Sequence, residues 1–235
     1  MSLVITFSEI YANVKKISGI RLQPIVQLTN DKIIGYEILS KIKFNTNVEG
    51  FFHALTERNY EILLLKQLDV IRESGVKKKL FVNIPLAILL KKRGLELFLY
   101  QCTGQEKNIN VEIQDAFLME KMTSLQMLKL KKIISIMRVK GYSIWFDDYR
   151  DGMDKWLDTS QIIFDGIKTD YRELRRWKKN SLTMKPLIDK AKKFSKSVLI
   201  EGIETESDWL YACDSGADLG QGFMWPEDVI LTTIV

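Results

Sequence analysis

Apolar positions along the chain switch between short runs and helical spacing. Arg21 to Leu28 reads as a strand, Thr29-Asn30-Asp31-Lys32 supplies turn chemistry, and Ile33 to Leu39 reads as a second strand, so a hairpin is predicted. Residues 59–74 place Ile62, Leu65, Leu68 and Ile71 on a helical pattern that Gly75 closes. From there strands and helices alternate. Leu80 to Asn83 and Ile109 to Glu112 read as strands, each followed by helical sequence; the second helix is expected from about Ser124 to Lys140, with Gly141 as its cap. Ser143 to Asp147, Phe164 to Asp170, Ser197 to Glu201 and Ala217 to Gly220 read as further strands. Between them, Leu187, Ile188, Ala191 and Phe194 mark one helix face, and Thr205-Glu-Ser-Asp208 resembles a capping box whose helix stops at Gly216.

Repeated strand–helix units predict a parallel sheet, and about eight strands in one chain predict a closed barrel. The hairpin sets the first strand against the others. The expected fold class is therefore α/β, a modified (β/α)8 TIM-type barrel with an antiparallel first strand. Residues 1–19 read as an amphipathic lead-in helix ending at Gly19, and residues 20–235 as one barrel domain, with no Pro-, Gly- or Ser-rich linker between them.

Composition narrows the function. The 235 residues are 46% hydrophobic and 28% charged, enough apolar mass for a substantial core. The net charge of +5 comes largely from short runs such as Lys77-Lys78-Lys79 and Lys91-Lys92-Arg93. They lack interleaved aromatics, so they read as solvated faces and not as a site for a nucleic acid polymer, while still favouring an anionic small ligand. Cys102 and Cys213 form no framework or metal-ligand spacing, and a single histidine, His53, argues against a multi-histidine zinc site or a Ser-His-Asp triad. No signal-peptide pattern is seen. The longest apolar run, Leu80 to Leu90, is interrupted by Asn83 and Pro85 and is too short for a bilayer, so a cytoplasmic protein without membrane attachment is expected.

The polar residues at the strand ends change the picture. They are Glu37, Asn83, Glu112, Asp147 with Asp148, Lys168 with Asp170, Glu201, and Gln221 just past the last strand. Each alone is an ordinary strand terminus. A parallel barrel, however, gathers its C-terminal strand ends on one rim, where such folds carry chemistry. Carboxylates collected there repel one another unless cations intervene. Oxygen donors with almost no histidine or thiolate favour Mg2+ or Mn2+ over zinc. A lysine among them can orient or help deprotonate a water, or neutralise charge developing on a phosphate. Together they predict a two-metal phosphoester hydrolase.

The same residues carry a resemblance. Gln23-Pro24-Ile25-Val26 and Gly35-Tyr36-Glu37-Ile38-Leu39 look like the opening of the EAL-domain family. The match continues through Phe81-Val82-Asn83-Ile84-Pro85, Val111-Glu112-Ile113-Gln114-Asp115, Phe146-Asp147-Asp148-Tyr149, Ile167-Lys168-Thr169-Asp170, Glu201-Gly202-Ile203-Glu204-Thr205 and Gln221-Gly222-Phe223, in family order. The resemblance implies a phosphodiesterase that opens cyclic di-GMP to linear pGpG with two Mg2+ or Mn2+ ions, in a homodimer coupled through the loop from Asp148 to Asp158. By carry-over, Glu37, Asn83, Glu112 and Asp147 hold the first ion, and Asp147 bridges to a second that Asp148 helps complete. Lys168 and Glu201 act on the attacking water, with Asp148 beside them. Gln23 matches a guanine contact, and Leu39, Lys41, Asp170, Glu204 and Gln221 fall on the substrate side or in support of it.

Four positions depart from the family pattern. Lys41 stands where an arginine grips phosphate, keeping the charge and losing the fork. Arg150 replaces a glycine in the loop Asp147-Asp-Tyr-Arg-Asp-Gly152, Asp115 is one methylene shorter than the usual glutamate, and Pro226 comes two places early. These departures support the alternative, a degenerate EAL-type module that binds cyclic di-GMP or a partner protein without hydrolysis.

Overall fold

The structure is a computed structural model and describes residues 17–42 and 48–231. It opens with two long strands, β1 (Ile17–Gln27) and β2 (Lys32–Ile42), paired antiparallel around the turn at residues 28–31. β1 begins at Ile17, so residues 17–19, expected in a lead-in helix, are strand; the rest of that lead-in, residues 1–16, lies outside the described residues. After β2 come two helices, α1 (Val48–His53) and α2 (Glu57–Ser74). Thr56 caps α2 by accepting from the Asn59 amide, and Gly75 ends it with a left-handed φ of 69°.

The alternating part follows. β3 (Lys79–Pro85) leads into α3 (Leu86–Leu89) and α4 (Lys92–Gln101); β4 (Ile109–Gln114) leads into α5 (Ser124–Lys140); β5 (Ser143–Tyr149) leads into α6 (Asp154–Ser160). β6 (Gly166–Thr169), α7 (Tyr171–Lys179), α8 (Lys185–Ala191), β7 (Val198–Ile200), α9 (Glu206–Asp214) and β8 (Leu219–Gln221) complete the series. The helix expected over 124–140 is present with those bounds, opened by a Thr123–Gln126 capping box and closed by Gly141 at φ 107°. Thr205 and Asp208 form the expected box at α9.

Strands β2 to β8 pair in parallel in chain order, and β1 closes the ring by running antiparallel to both β8 and β2. This is the expected eight-stranded barrel with an antiparallel first strand. A ninth strand, β9 (Asp228–Leu231), was not legible in the sequence and pairs with the start of β1, opposite Ile20 and Arg21.

Alternation along the strands separates two cores. Val26, Leu80, Val82, Ile144, Phe146, Val198 and Ile200 pack outward against the helices. Their neighbours Ile25, Phe81, Trp145, Leu199 and Leu219 form a separate buried cluster that fills the barrel. The Phe81 and Trp145 rings meet edge to face, 5.0 Å between centroids.

Candidate active site

Side chains two residues apart on a strand share a face, so the residues two steps beyond the apolar plug form the next layer inside the barrel. Phe81 leads to Asn83, Trp145 to Asp147, Leu199 to Glu201 and Leu219 to Gln221; Gly35, Asn110 and Gly166 lead in the same way to Glu37, Glu112 and Lys168. β1 runs the other way, and there Gln23 precedes Ile25 and stands opposite Glu37. A polar ring therefore rests on an apolar floor at the C-terminal end of the parallel strands.

Lys168 is the centre of that ring. Its Nζ lies 2.8 Å from Glu201 Oε1, 3.0 Å from Glu112 Oε2, 3.2 Å from Glu37 Oε2 and 3.6 Å from Asp147 Oδ1, with the lysine side chain only 1% exposed. Glu37 is fixed from its other sides, by Asn83 Nδ2 (2.6 Å to Oε1) and by Gln221 Nε2 (2.5 Å to Oε2), and the same Gln221 nitrogen donates to Gln23 Oε1 at 2.9 Å. Asp148 joins by breaking the strand alternation. Its φ of 58° is left-handed, which costs roughly 1–2 kcal/mol for a non-glycine residue, and the β5–β6 register slips between Phe146 and Tyr149. Consecutive carboxylates on one strand would otherwise point to opposite faces. Here Asp147, Asp148 and Glu201 each bring an oxygen within 4.8 Å of the others.

Four carboxylates thus surround one ammonium in a buried space, with Asp148 as a fifth beside them. Burial would lower the Lys168 pKa, but Asp147, Glu112, Glu201 and Glu37 outweigh it and hold the lysine charged well above its usual range. Burial pushes Asp147 up to about 6 and Glu201 up to about 8, against the pull of Lys168, and raises Glu112 as well. Asp148 is raised by burial and then by the charge of Asp170. Glu37 goes the other way: burial acts upward, yet Lys168, Asn83 and Gln221 together lower it. The uncompensated negative charge calls for cations. Buried Asn83 Oδ1, Glu112 Oε1 and Gln221 Oε1 have no hydrogen-bond partner, so an all-oxygen donor set stands ready. These residues fit hard divalent ions.

A cavity of about 580 Å³ opens beside the ring, within the usual size of a small-molecule site. Asn83, Asp147 and Asp148 line it, and α1, the connection after it and α2 contribute Phe52, Leu55 and Leu63. Leu39 lines it, but Lys41 does not; among the described residues the cation on its wall is Arg21, whose guanidinium is held 3.0 Å from both oxygens of Glu227. Asp170 is buried and caps α7, receiving Arg172 through its amide, Nε and Nη2 at 2.6–3.0 Å. Glu204 is exposed and hydrogen-bonded by Arg175, so it does not join the ring. Sequence reasoning missed Tyr60, which lines the cavity and donates to Gln114 Oε1 at 2.5 Å. Tyr60 sits in the helical pattern of α2, and nothing local distinguishes it from a packing residue.

A model of the EAL domain matches residues 15–227. The chain belongs to the EAL domain family. Among curated proteins, the cyclic di-GMP phosphodiesterase TpdA of Vibrio parahaemolyticus is 24% identical over 217 residues, covering 88% of this chain and 36% of that protein. The chain thus spans about a third of the length of that relative. Solved EAL structures share the fold. An EAL domain protein of Listeria monocytogenes EGD-e superposes with a TM-score of 0.73 at 17% identity, covering 96% of this chain and 95% of that one. A standalone EAL protein of Vibrio cholerae O395 in its c-di-GMP-bound form gives 0.67 at 20% identity, covering 88% and 90%. Klebsiella pneumoniae BlrP1, in a manganese and cyclic di-GMP complex, gives 0.69 at 18% identity, covering 91% and 56%. Among the described residues of this EAL domain, no helix is long and apolar enough to cross a membrane.

Proposed function

We propose that this EAL domain is a cyclic di-GMP phosphodiesterase that hydrolyses its substrate to linear pGpG with two Mg2+ or Mn2+ ions. The observation that carries the reading is the ring around Lys168, in which five carboxylates and three partnerless buried oxygens converge beside a cavity of ligand size. Glu37, Asn83, Glu112 and Asp147 would hold one ion, and Asp147 with Asp148 the other. When bound, such ions polarise a phosphodiester and lower the pKa of water.

The chain's own residues supply the rest. Lys168 is held protonated by its neighbours, so it serves as a donor, orienting Glu201 across 2.8 Å and countering charge that develops on the phosphate. Glu201, whose proton affinity burial raises, would accept the proton of the attacking water from its ionised form, which bound cations favour. Attack would form a bond from the water oxygen to phosphorus and break the bond to one 3′ oxygen, which takes up a proton from solvent; opening one of the two phosphodiester linkages gives pGpG. Gln23, at the edge of the ring, is suited to a guanine edge, and Leu39 to the wall beneath it. Gln221, bonded to both Glu37 and Gln23, and Lys41 would meet the substrate from the same side. Asp170 and Glu204 act through Arg172 and Arg175, as support for the rim. A cytoplasmic homodimer joined near the loop from Asp148 to Asp158 belongs to the same proposal, and unchanged specific activity on dilution to monomer would count against its coupling role.

Glu37→Ala tests the reading. It removes the acceptor that Asn83, Gln221 and Lys168 share, and turnover is expected to vanish while the chain stays folded; wild-type turnover would sink the assignment. A second reading, a binding module without hydrolysis, is favoured by one observation. Arg150 stands 3.5 Å from Asp170, beside the acidic pair, where it opposes cation binding. On that reading Glu37→Ala leaves partner function intact.

A further inference from the structure

Arg150 lies one residue beyond β5, and its surroundings set its charge to work on the acidic pair. Its Nε is 3.5 Å from Asp170 Oδ2, and that nitrogen, although buried, has no hydrogen-bond partner. Asp170 is already saturated by Arg172, whose Nη2 lies 2.6 Å from Oδ2 and whose Nε lies 2.9 Å from Oδ1. One carboxylate therefore answers two guanidiniums, which leaves a net positive charge at this corner. Asp151, the next residue, does not cancel it, because its own carboxylate is held by Lys190 at 3.0 Å and Arg176 at 3.6 Å. The corner is also rigidly placed: the Asp170 amide donates to the Tyr149 carbonyl at 3.0 Å, tying the segment that bears Arg150 to the one that bears Asp170.

Asp148 is the carboxylate that feels this charge. Burial and the charge of Asp170 raise it, while Lys168, Arg150 and Arg172 act in the direction that keeps it ionised. On Glu37 and Glu112, on the other side of Asp147, Lys168 acts and Arg150 is not among the causes. Lys168 thus acts on both halves of the ring, and the Asp148 side differs by the added charges of Arg150 and Arg172.

We propose that Arg150 is a tethered counter-charge to Asp148 that weakens the second cation site, at Asp147 and Asp148, so that this chain binds its two divalent ions with unequal affinity. The inference rests on the two-ion reading above and adds a residue that the reading does not use. A fixed unit charge near a divalent ion at a partly exposed site is expected to cost about tenfold or more in affinity.

The test is a titration of the metal-free full chain with Mn2+, read by calorimetry and by the electron paramagnetic resonance signal of free Mn2+, with no substrate present. The wild type is expected to show a tighter and a weaker site. Arg150→Gly and Arg150→Gln should each tighten the weaker site by about tenfold and leave the tighter one in place, while Arg150→Lys should behave as wild type. If either neutral variant fails to fold, the other carries the comparison. Two neutral variants with an unchanged weaker site would overturn the proposal. If Mn2+ binds to none of the four proteins, the two-ion reading itself is contradicted, and this inference goes with it.

Discussion

The indole of Trp145 occupies the space where a side chain at position 166 would stand: a Cβ on Gly166 would lie 2.3–2.4 Å from three ring atoms. The pair lies directly across the β5–β6 ladder and forms part of the floor on which Asp147 and Lys168 rest, each two residues further along. Gly166→Ala is therefore expected to destabilise the protein by about 1–3 kcal/mol through overpacking. It should also weaken Mn2+ binding, because the strands that carry Asp147 and Lys168 must separate. Urea unfolding and a Mn2+ titration measure both effects, and a variant unchanged in both would show that the floor does not position the ring.

Lys168→Met probes the balance of charge. Removing one partner of a buried ion pair costs about 3–5 kcal/mol, because the remaining charges lose their counterion. Here four carboxylates share the lysine, so the metal-free variant should lose at least that much or take up protons. Mn2+ should restore part of the loss. Chemical unfolding in EDTA and in Mn2+ provides the comparison; a loss of the same size in both would argue against cations sharing the role of the ammonium.

The raised carboxylates give a pH dependence with a definite sign. Asp147 titrates near about 6 and Glu201 near about 8 in the folded chain, both above the ordinary carboxylate range because of burial. The folded protein then binds more protons than the unfolded one in this window, so these two groups contribute stability that is present at low pH and lost as pH rises through 6 and then 8. The melting temperature of EDTA-treated protein should fall across that range, and Mn2+ should flatten the fall by favouring the ionised forms. A flat profile in EDTA would contradict the charge balance described for the ring.

Much of this could be read from the chain because local rules and the fold agree. The cap residues Thr123, Gly141 and Thr205 act locally, and the helices they bound appear where expected. Glu37, Asn83, Glu112, Asp147, Lys168 and Glu201 were legible because a parallel barrel converts strand ends into one rim. What escaped depends on contacts distant in sequence. β9 exists because Asp228 to Leu231 find the free edge of β1, about two hundred residues earlier. Arg21 entered the cavity wall, and Lys41 did not, for reasons of barrel geometry that no spacing rule conveys. The pairing of Arg150 with Asp170 likewise joins two strand ends, and only the assembled rim brings them to 3.5 Å.

Incubation of the purified chain with cyclic di-GMP and Mn2+ or Mg2+, beside an EDTA control, followed by chromatography for linear pGpG, tests the central claim most directly. The account predicts pGpG in the presence of metal and none in EDTA. Intact cyclic di-GMP in all three, from protein that is folded, would contradict it and leave the ring around Lys168 as the floor of a binding module.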